Sequence, residues 1–243
     1  MLRSFTLRVQ RGEGPFYGFL KRSYFRVLRF SFTPRLTKPF FHFLYYFHQN
    51  FLLAVRQFLN IVYFGPLFKS RCASVGKNLH VWRLPYLRGP IEVFIGDDVE
   101  IFGKVTIFSG RIFEHPRLVI GNRVDIGHEI QFSINREVVI EDEVNIASLV
   151  HITDTDAHPR DTEARVQGAA APPDEIKPVR ICRRAWLGGG CWIMKGVTIG
   201  EGAVVGVNSV VLTDVPPYAV VMGNPARIVV KDVRPAPPQP AAP

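Results

Sequence analysis

Ile120-Gly-Asn-Arg-Val-Asp, Ile126-Gly-His-Glu-Ile-Gln and then Phe132 follow one another at intervals of six residues. An apolar residue opens each unit, a small residue usually follows, and another small or aliphatic residue comes four places on. The same register runs upstream through Ile95-Gly-Asp-Asp-Val-Glu, Ile101 and Ile107. Downstream it passes through Ile140-Glu-Asp-Glu-Val-Asn, Ile146-Ala-Ser-Leu-Val-His and Ile152. After an interruption it resumes as Ile181, Leu187-Gly, Ile193, Ile199-Gly-Glu-Gly-Ala-Val, Val205-Gly-Val-Asn-Ser-Val and Val211. Val75-Gly-Lys-Asn-Leu-His and Val81 read as a degraded first copy. A period of six fits neither the 3.6 of a helix nor the 2.0 of an alternating strand.

A stacked coil does account for it. Each unit is a short extended segment plus a bend, and three units close one triangular turn. Stacking then places every opening aliphatic inside, like upon like. Backbone N–H and C=O groups pair with the coils above and below, giving a parallel sheet on each side. In this reading the residue after the aliphatic sits at the bend, where glycine tolerates unusual dihedrals. Two breaks interrupt the register. The short one, Phe113–Val119 with Pro116, reads as a corner bulge. The long one, about 154–178, is poor in apolar residues and carries a Gly-Ala-Ala-Ala-Pro-Pro run, so it should project from the coil. The repeat ends after Val215-Pro216-Pro217, where Met222-Gly-Asn-Pro-Ala-Arg227 turns away. The expected organisation is an N-terminal helical extension over 1–72, the repeat domain over 73–230, and a Pro/Ala-rich disordered tail over 231–243.

The net charge of +9 is concentrated at one end. Residues 1–70 hold eleven Lys/Arg against Glu13 alone, so the remainder is close to neutral. A basic, aromatic stretch from Lys21 to Lys38 precedes an apolar stretch over Phe40–Phe68; Pro34 and Pro39 divide the segment and Gly65-Pro66 ends its apolar part. The apolar stretch starts too late for a cleaved signal peptide. His42, His48, Gln49, Asn50 and Arg56 weaken a membrane-spanning reading. Two compatible readings stay open: contact with an anionic membrane surface, and a helical cap on the exposed first coil or an oligomer contact. Cys72, Cys182 and Cys191 form neither a Cys-x-x-Cys pair nor an even disulfide set, and read as reduced thiols of a cytoplasmic protein, peripheral on the inner face of the membrane in the first reading.

The repeat resembles the hexapeptide-repeat acyltransferases over about residues 75–230. That resemblance implies a left-handed parallel β-helix and a homotrimer with active sites between subunits. A more local pattern is similar to the sugar O-acetyltransferase branch, which includes maltose and galactoside acetyltransferases. It consists of Thr155-Asp156-Ala157-His158-Pro159, Arg165 seven residues after the histidine, the return Lys177-Pro178-Val179, and Ala185-Trp186-Leu187-Gly188-Gly189-Gly190. The resemblance implies acetyl-CoA as donor, a sugar hydroxyl as acceptor, and His158 as general base. The chemistry fits independently, because an alcohol attacking a thioester must lose its proton and imidazole titrates in the right range. Asp156 or Asp154 is the candidate to hold the imidazole tautomer.

By position, Gly189, Gly190, Val207, Leu212, Thr213 and Arg227 fall where the family contacts CoA, with Lys195 and Lys231 as added charge. Arg227 suits a phosphate through its forked donors. The chain departs from the simple sugar acetyltransferases at Gly127-His128-Glu129-Ile130-Gln131-Phe132, which lacks their asparagine. His128, Gln131 and Asn135 are the acceptor-side candidates. The basic N-terminal segment suggests an acceptor in a polysaccharide, lipid-linked glycan or glycolipid. Two rival classes share this kind of coil. A γ-type carbonic anhydrase also uses this coil with three histidines on zinc, but His151 and His158 are seven residues apart, not the five of that pattern. A non-catalytic scaffold would not need the intact His-Pro loop. Neither a metal nor a nucleic acid is called for.

Overall fold

The computed structural model describes residues 2–29 and 35–234. Pro34 and the tail from Pro235 onward lie outside the described residues. The chain divides into two compact units, Met1–Leu53 and Ala54–Pro243.

The second unit is a three-sided parallel coil. On its first face Val75, Ile95, Ile120, Ile140, Ile181 and Ile199 stack in register. On the second face the column is Val81, Ile101, Ile126, Ile146, Leu187, Val205 and Val221. On the third it is Leu87, Ile107, Phe132, Ile152, Ile193 and Val211. These columns are the six-residue register carried into three dimensions, and the fold is a left-handed β-helix. Residues four places on give further inward columns, Val99, Val124, Val144, Ala185 and Ala203 after the first face and Cys191 after the second, all fully buried. Cys191 takes an aliphatic place in its column, and burial pushes its thiol up to about 12.

The bends work differently from the expectation. Left-handed dihedrals fall three residues after the opening aliphatic, at Asn78, Asp98, Arg123, Glu129, Glu143, Leu149, Arg184 and Asn208. Glycine directly after the aliphatic is wanted for space instead. A Cβ on Gly127 would lie 2.8 Å from the backbone of Ala147 and Ser148 on the next coil. At the corner between the first two faces Asp97, Asn122 and Asp142 form a side-chain ladder. Each carboxylate or amide oxygen accepts the backbone N–H of Lys77, Asp97 and Asn122 respectively, at 2.7–2.8 Å. One residue on, Glu143 receives Arg123, Arg183 and Arg184, which together hold its carboxyl down at about 2.

Three boundaries move. The short break is Gly110–Pro116, because Arg117–Ile120 already pairs with both neighbours. The repeat does not stop at Pro217: Val221 continues the second column, and Val220–Gly223 pairs antiparallel with Ala226–Val230, which covers the strand edge. The apolar helix does not end at Gly65-Pro66. Helix α3 (Lys38–Leu59) passes through a π turn at Asn60–Phe64 into α4 (Gly65–Lys69), where Pro66 occupies an N-terminal position that needs no N–H. Phe68 of α4 is 2% exposed and belongs to the coil's core, so α4 plugs the first coil. The compact unit therefore starts at Ala54 and not near residue 73.

The first unit contains α1 (Leu2–Arg11), α2 (Gly14–Leu28) and most of α3. Phe5 meets Tyr17 edge to face, and Phe43, Phe47 and Phe51 stack along α3 at four-residue spacing. No residue of α2 or α3 is buried. The helical run Lys38–Lys69 is long and apolar enough to cross a membrane.

Candidate active site

The long loop leaves the third face after His151–Thr153 and rejoins the first face at Val179–Ile181. Its neck is built on Asp154, which is fully buried. The carboxylate accepts the backbone N–H groups of Asn135, Arg136 and Glu137 at 2.8, 2.6 and 2.9 Å. Burial pushes this carboxyl up against the downward pull of those bonds. The carbonyl of Asp154 accepts from Lys177 N–H at 3.0 Å and closes the neck. The loop thus stands on the coil as a fixed hairpin of chain, with a short helix α5 (Thr162–Val166) at its far side.

His158 is exposed near the start of this loop. A compact turn presents it. Thr153 Oγ1 donates to the Thr155 carbonyl at 2.7 Å, Thr155 Oγ1 accepts from Ala157 N–H, and His158 N–H donates to the Asp156 carbonyl at 2.8 Å. Ala157 adopts φ 66°, a left-handed conformation unfavourable for alanine. Pro159 behind the histidine is buried, and Arg165 donates to the carbonyls of Pro159 and Arg160 at 3.2 and 3.1 Å. Arg165 is therefore a clamp on the backbone that follows His158.

The carboxylates do different work from that expected of them. Asp154 is consumed by three backbone N–H groups, so it is not the partner of the imidazole. Asp156 points its carboxylate to Lys195 Nζ at 2.6 Å, and only its backbone meets His158. Among the described residues the His158 ring has no side-chain partner. Lys195 is likewise not a free charge for a phosphate. Its side chain is 14% exposed and lies between Asp156 and, at 3.5 Å, Glu175 on the loop's return limb. One cation from the coil ties both limbs of the loop.

The other candidates distribute around the third face. Its outward row is Tyr86, Thr106, Gln131, His151, Trp192 and Val210. His151 stacks flat on Trp192 at 4.0 Å, and its partial burial lowers its pKa. His128, Gly189 and Val207 stand on the edge shared with the second face, each two residues past that face's column. Leu212 and Thr213 stand on the opposite edge, where the loop also emerges. Arg227 lies on the antiparallel closing strand, its guanidinium bonded among the described residues only to the Ala226 carbonyl. A single copy of the chain therefore does not gather the CoA candidates into one slot. Gly190 is required by its turn, with φ 72° and Asn208 Oδ1 standing against the place a Cβ would take. Asn135 is buried at the loop's base, and among the described residues its Oδ1 has no hydrogen-bond partner. His115 pairs with Glu92 at 2.9 Å, away from the loop. Among the described residues no three His, Cys, Asp or Glu side chains are grouped as metal ligands.

Trp192, Lys195 and Glu175 were missed in these roles. The outward row was legible, because each member directly precedes a column residue; the ion pairs were not, because they depend on the path of the loop.

No family model matches the chain. In sequence it is 38% identical over 114 residues to the "Putative acetyltransferase YJL218W" of Saccharomyces cerevisiae, covering 47% of this chain and 56% of that protein. It is 39% identical over 77 residues to a Staphylococcus aureus protein of the same description, covering 32% of this chain and 37% of that one. The chain thus matches only about a third to a half of the length of these relatives. A longer alignment, 29% identical over 168 residues, covers 64% of this chain and 80% of the Escherichia coli "Putative lipopolysaccharide biosynthesis O-acetyl transferase WbbJ". Among solved structures, a mutant of AntD, an N-acyltransferase from Bacillus cereus, in complex with dTDP and coenzyme A, superposes with a TM-score of 0.52 at 20% identity. That match covers 70% of this chain and 89% of AntD, and it establishes the shared fold.

Proposed function

We propose that this chain is a hexapeptide-repeat acyltransferase and moves an acetyl group from acetyl-CoA to a sugar hydroxyl with His158 as general base. The observation that carries the reading is the mounting of His158. An exposed imidazole sits on a loop whose neck, turn and limbs are each held by named bonds, and the loop leaves the face that carries the stacked His151 and Trp192. A rigid loop places the base without an entropic cost at each turnover. The acceptor hydroxyl gives its proton to His158 as its oxygen attacks the thioester carbon. The carbon–sulfur bond then breaks, and the CoA sulfur leaves with a proton returned by the imidazolium.

The donor slot needs a second copy of the chain. Leu149, Trp192, Val207 and Leu212 are 44–63% exposed on a rigid β surface, an apolar strip of the kind that marks an interface or a ligand groove. The CoA candidates occupy both edges of the third face, so a homotrimer that brings one edge against its neighbour's other edge would assemble them. The acceptor is a saccharide of a polysaccharide, lipid-linked glycan or glycolipid. Support comes from the name of the E. coli relative and from the basic, aromatic N-terminal unit, whose exposed Phe and Tyr side chains suit the surface of an anionic membrane on its cytoplasmic side.

The test is release of CoA thiol from acetyl-CoA with saccharide and lipid-extract acceptors. His158→Ala should lower acceptor-dependent release by about 10²–10⁴-fold and leave CoA binding in place. Release that survives the substitution overturns the assignment of the base. An outcome with neither release nor CoA binding overturns the transferase reading.

A further inference from the structure

A cavity of about 530 Å³ opens at the edge between the second and third faces, beside the first coils. It is lined by Arg56, Arg83, Lys104 and His128 together with Trp82 and Phe102. The loop that carries His158 emerges at the opposite edge of the third face. Among the described residues, neither Arg56, Arg83 nor Lys104 has a carboxylate within ion-pair distance. Elsewhere on the coils Arg117, Arg123, Arg180, Arg183, Arg184 and Lys195 are paired with carboxylates, while Lys77 and Arg136 among the described residues are not; what sets the three cavity cations apart is that they line one concavity. Glu129 is the one acidic residue of the lining, and nearby Glu100 accepts from Trp82 Nε1 at 2.7 Å. That bond and the flat stack of His80 on the indole fix Trp82 as one wall. Three unpaired cations converging on a concavity focus positive potential there. Guanidinium forks match phosphate oxygens, and the aromatic wall suits the face of a sugar ring or another apolar group. The volume accommodates a diphosphate and one attached ring.

We propose that this cavity binds a phosphate or diphosphate ester, and that the acceptor carries that group. Arg56, Arg83 and Lys104 hold the phosphate oxygens, and Trp82 and Phe102 lie against the esterified group. The assignment to the acceptor rests on the transferase reading; anion binding itself does not. A diphosphate is also present in CoA, so the experiment separates the two sources. The full chain is titrated calorimetrically with inorganic pyrophosphate, with and without saturating CoA. Wild type should show saturable binding that persists when CoA is bound. Arg83→Gln and Lys104→Gln, both at exposed positions and so tolerated by the fold, should each weaken it by about tenfold, the effect of losing a charge-assisted hydrogen bond. Lys77→Gln, an equal change of charge outside the cavity, should not weaken it, and CoA affinity should be unchanged in all three. Wild-type pyrophosphate affinity in both cavity variants, or no saturable binding in wild type, overturns the site. Displacement of pyrophosphate by CoA assigns the cavity to the donor and overturns the acceptor assignment. None of these outcomes depends on turnover, so the cavity can fail while the role of His158 stands.

Discussion

Replacing Lys195 by methionine removes the cation that joins the two limbs of the His158 loop while keeping most of the buried stem. Lys195 Nζ lies 2.6 Å from Asp156 and 3.5 Å from Glu175, whose side chains are 31% and 32% exposed. Breaking a fully buried ion pair by removing one partner costs about 3–5 kcal/mol, and an exposed pair is worth at most about 1 kcal/mol. The intermediate exposure here places the loss at about 2 kcal/mol, felt by the loop and not by the coil. Arg160 offers little compensation at 3.9 and 3.8 Å, because it is 78% exposed. Two kcal/mol is about a 30-fold shift toward the undocked loop. Limited trypsin digestion should therefore cut within the loop about 30-fold faster in the variant, at Arg160 or Arg165, under conditions where opening limits the amount of cleavable chain. Turnover should fall with the docked population, and the melting temperature of the coil should stay near wild type. Lys195→Arg, which keeps the charge, should recover part of both effects. Unchanged digestion and unchanged turnover in Lys195→Met would refute the claim that this lysine holds the loop.

Gly127→Ala should destabilise the coil by about 1–3 kcal/mol by denaturant unfolding, because the added Cβ meets the next coil's backbone at 2.8 Å. Asp154→Ala leaves three backbone N–H groups without acceptors at the neck and should cost about 3 kcal/mol or more; Asp154→Asn, which keeps an oxygen, should cost less. Glu143 is held down at about 2 from an ordinary 4.5, so its contribution is complete above 4.5 and lost as pH falls through about 2. Wild type should thus lose its advantage in melting temperature over Glu143→Gln across that window, and a constant difference down to the lowest pH would count against the arginine cluster.

The three columns of the coil were legible because the determinant is local and repeated. Ile95, Ile101 and Ile107 each announce a buried position on a different face, and every later coil restates the register. The loop, too, could be placed from composition, whereas Thr155-Asp156-Ala157-His158-Pro159 stood out as its chemical element only through resemblance to the sugar O-acetyltransferases. The repeat alone was ambiguous about what its glycines do. Left-handed backbone belongs to positions such as Glu129 and Glu143, and Gly127 is glycine because another coil passes beside it, a contact remote in sequence.

Tertiary structure alone decided which charges meet. Asp154 and Asp156 are two residues apart and look interchangeable beside His158, yet one turns inward to the Asn135–Glu137 backbone and the other outward to Lys195. That choice depends on how the loop crosses a coil formed about forty residues later. The cavity is the same kind of fact. Arg56, Arg83, Lys104 and His128 come from a helix end and successive coils, and only stacking brings them to one edge. A repeat encodes its own packing at every unit, whereas an ion pair or a pocket depends on where separate stretches of chain come to lie.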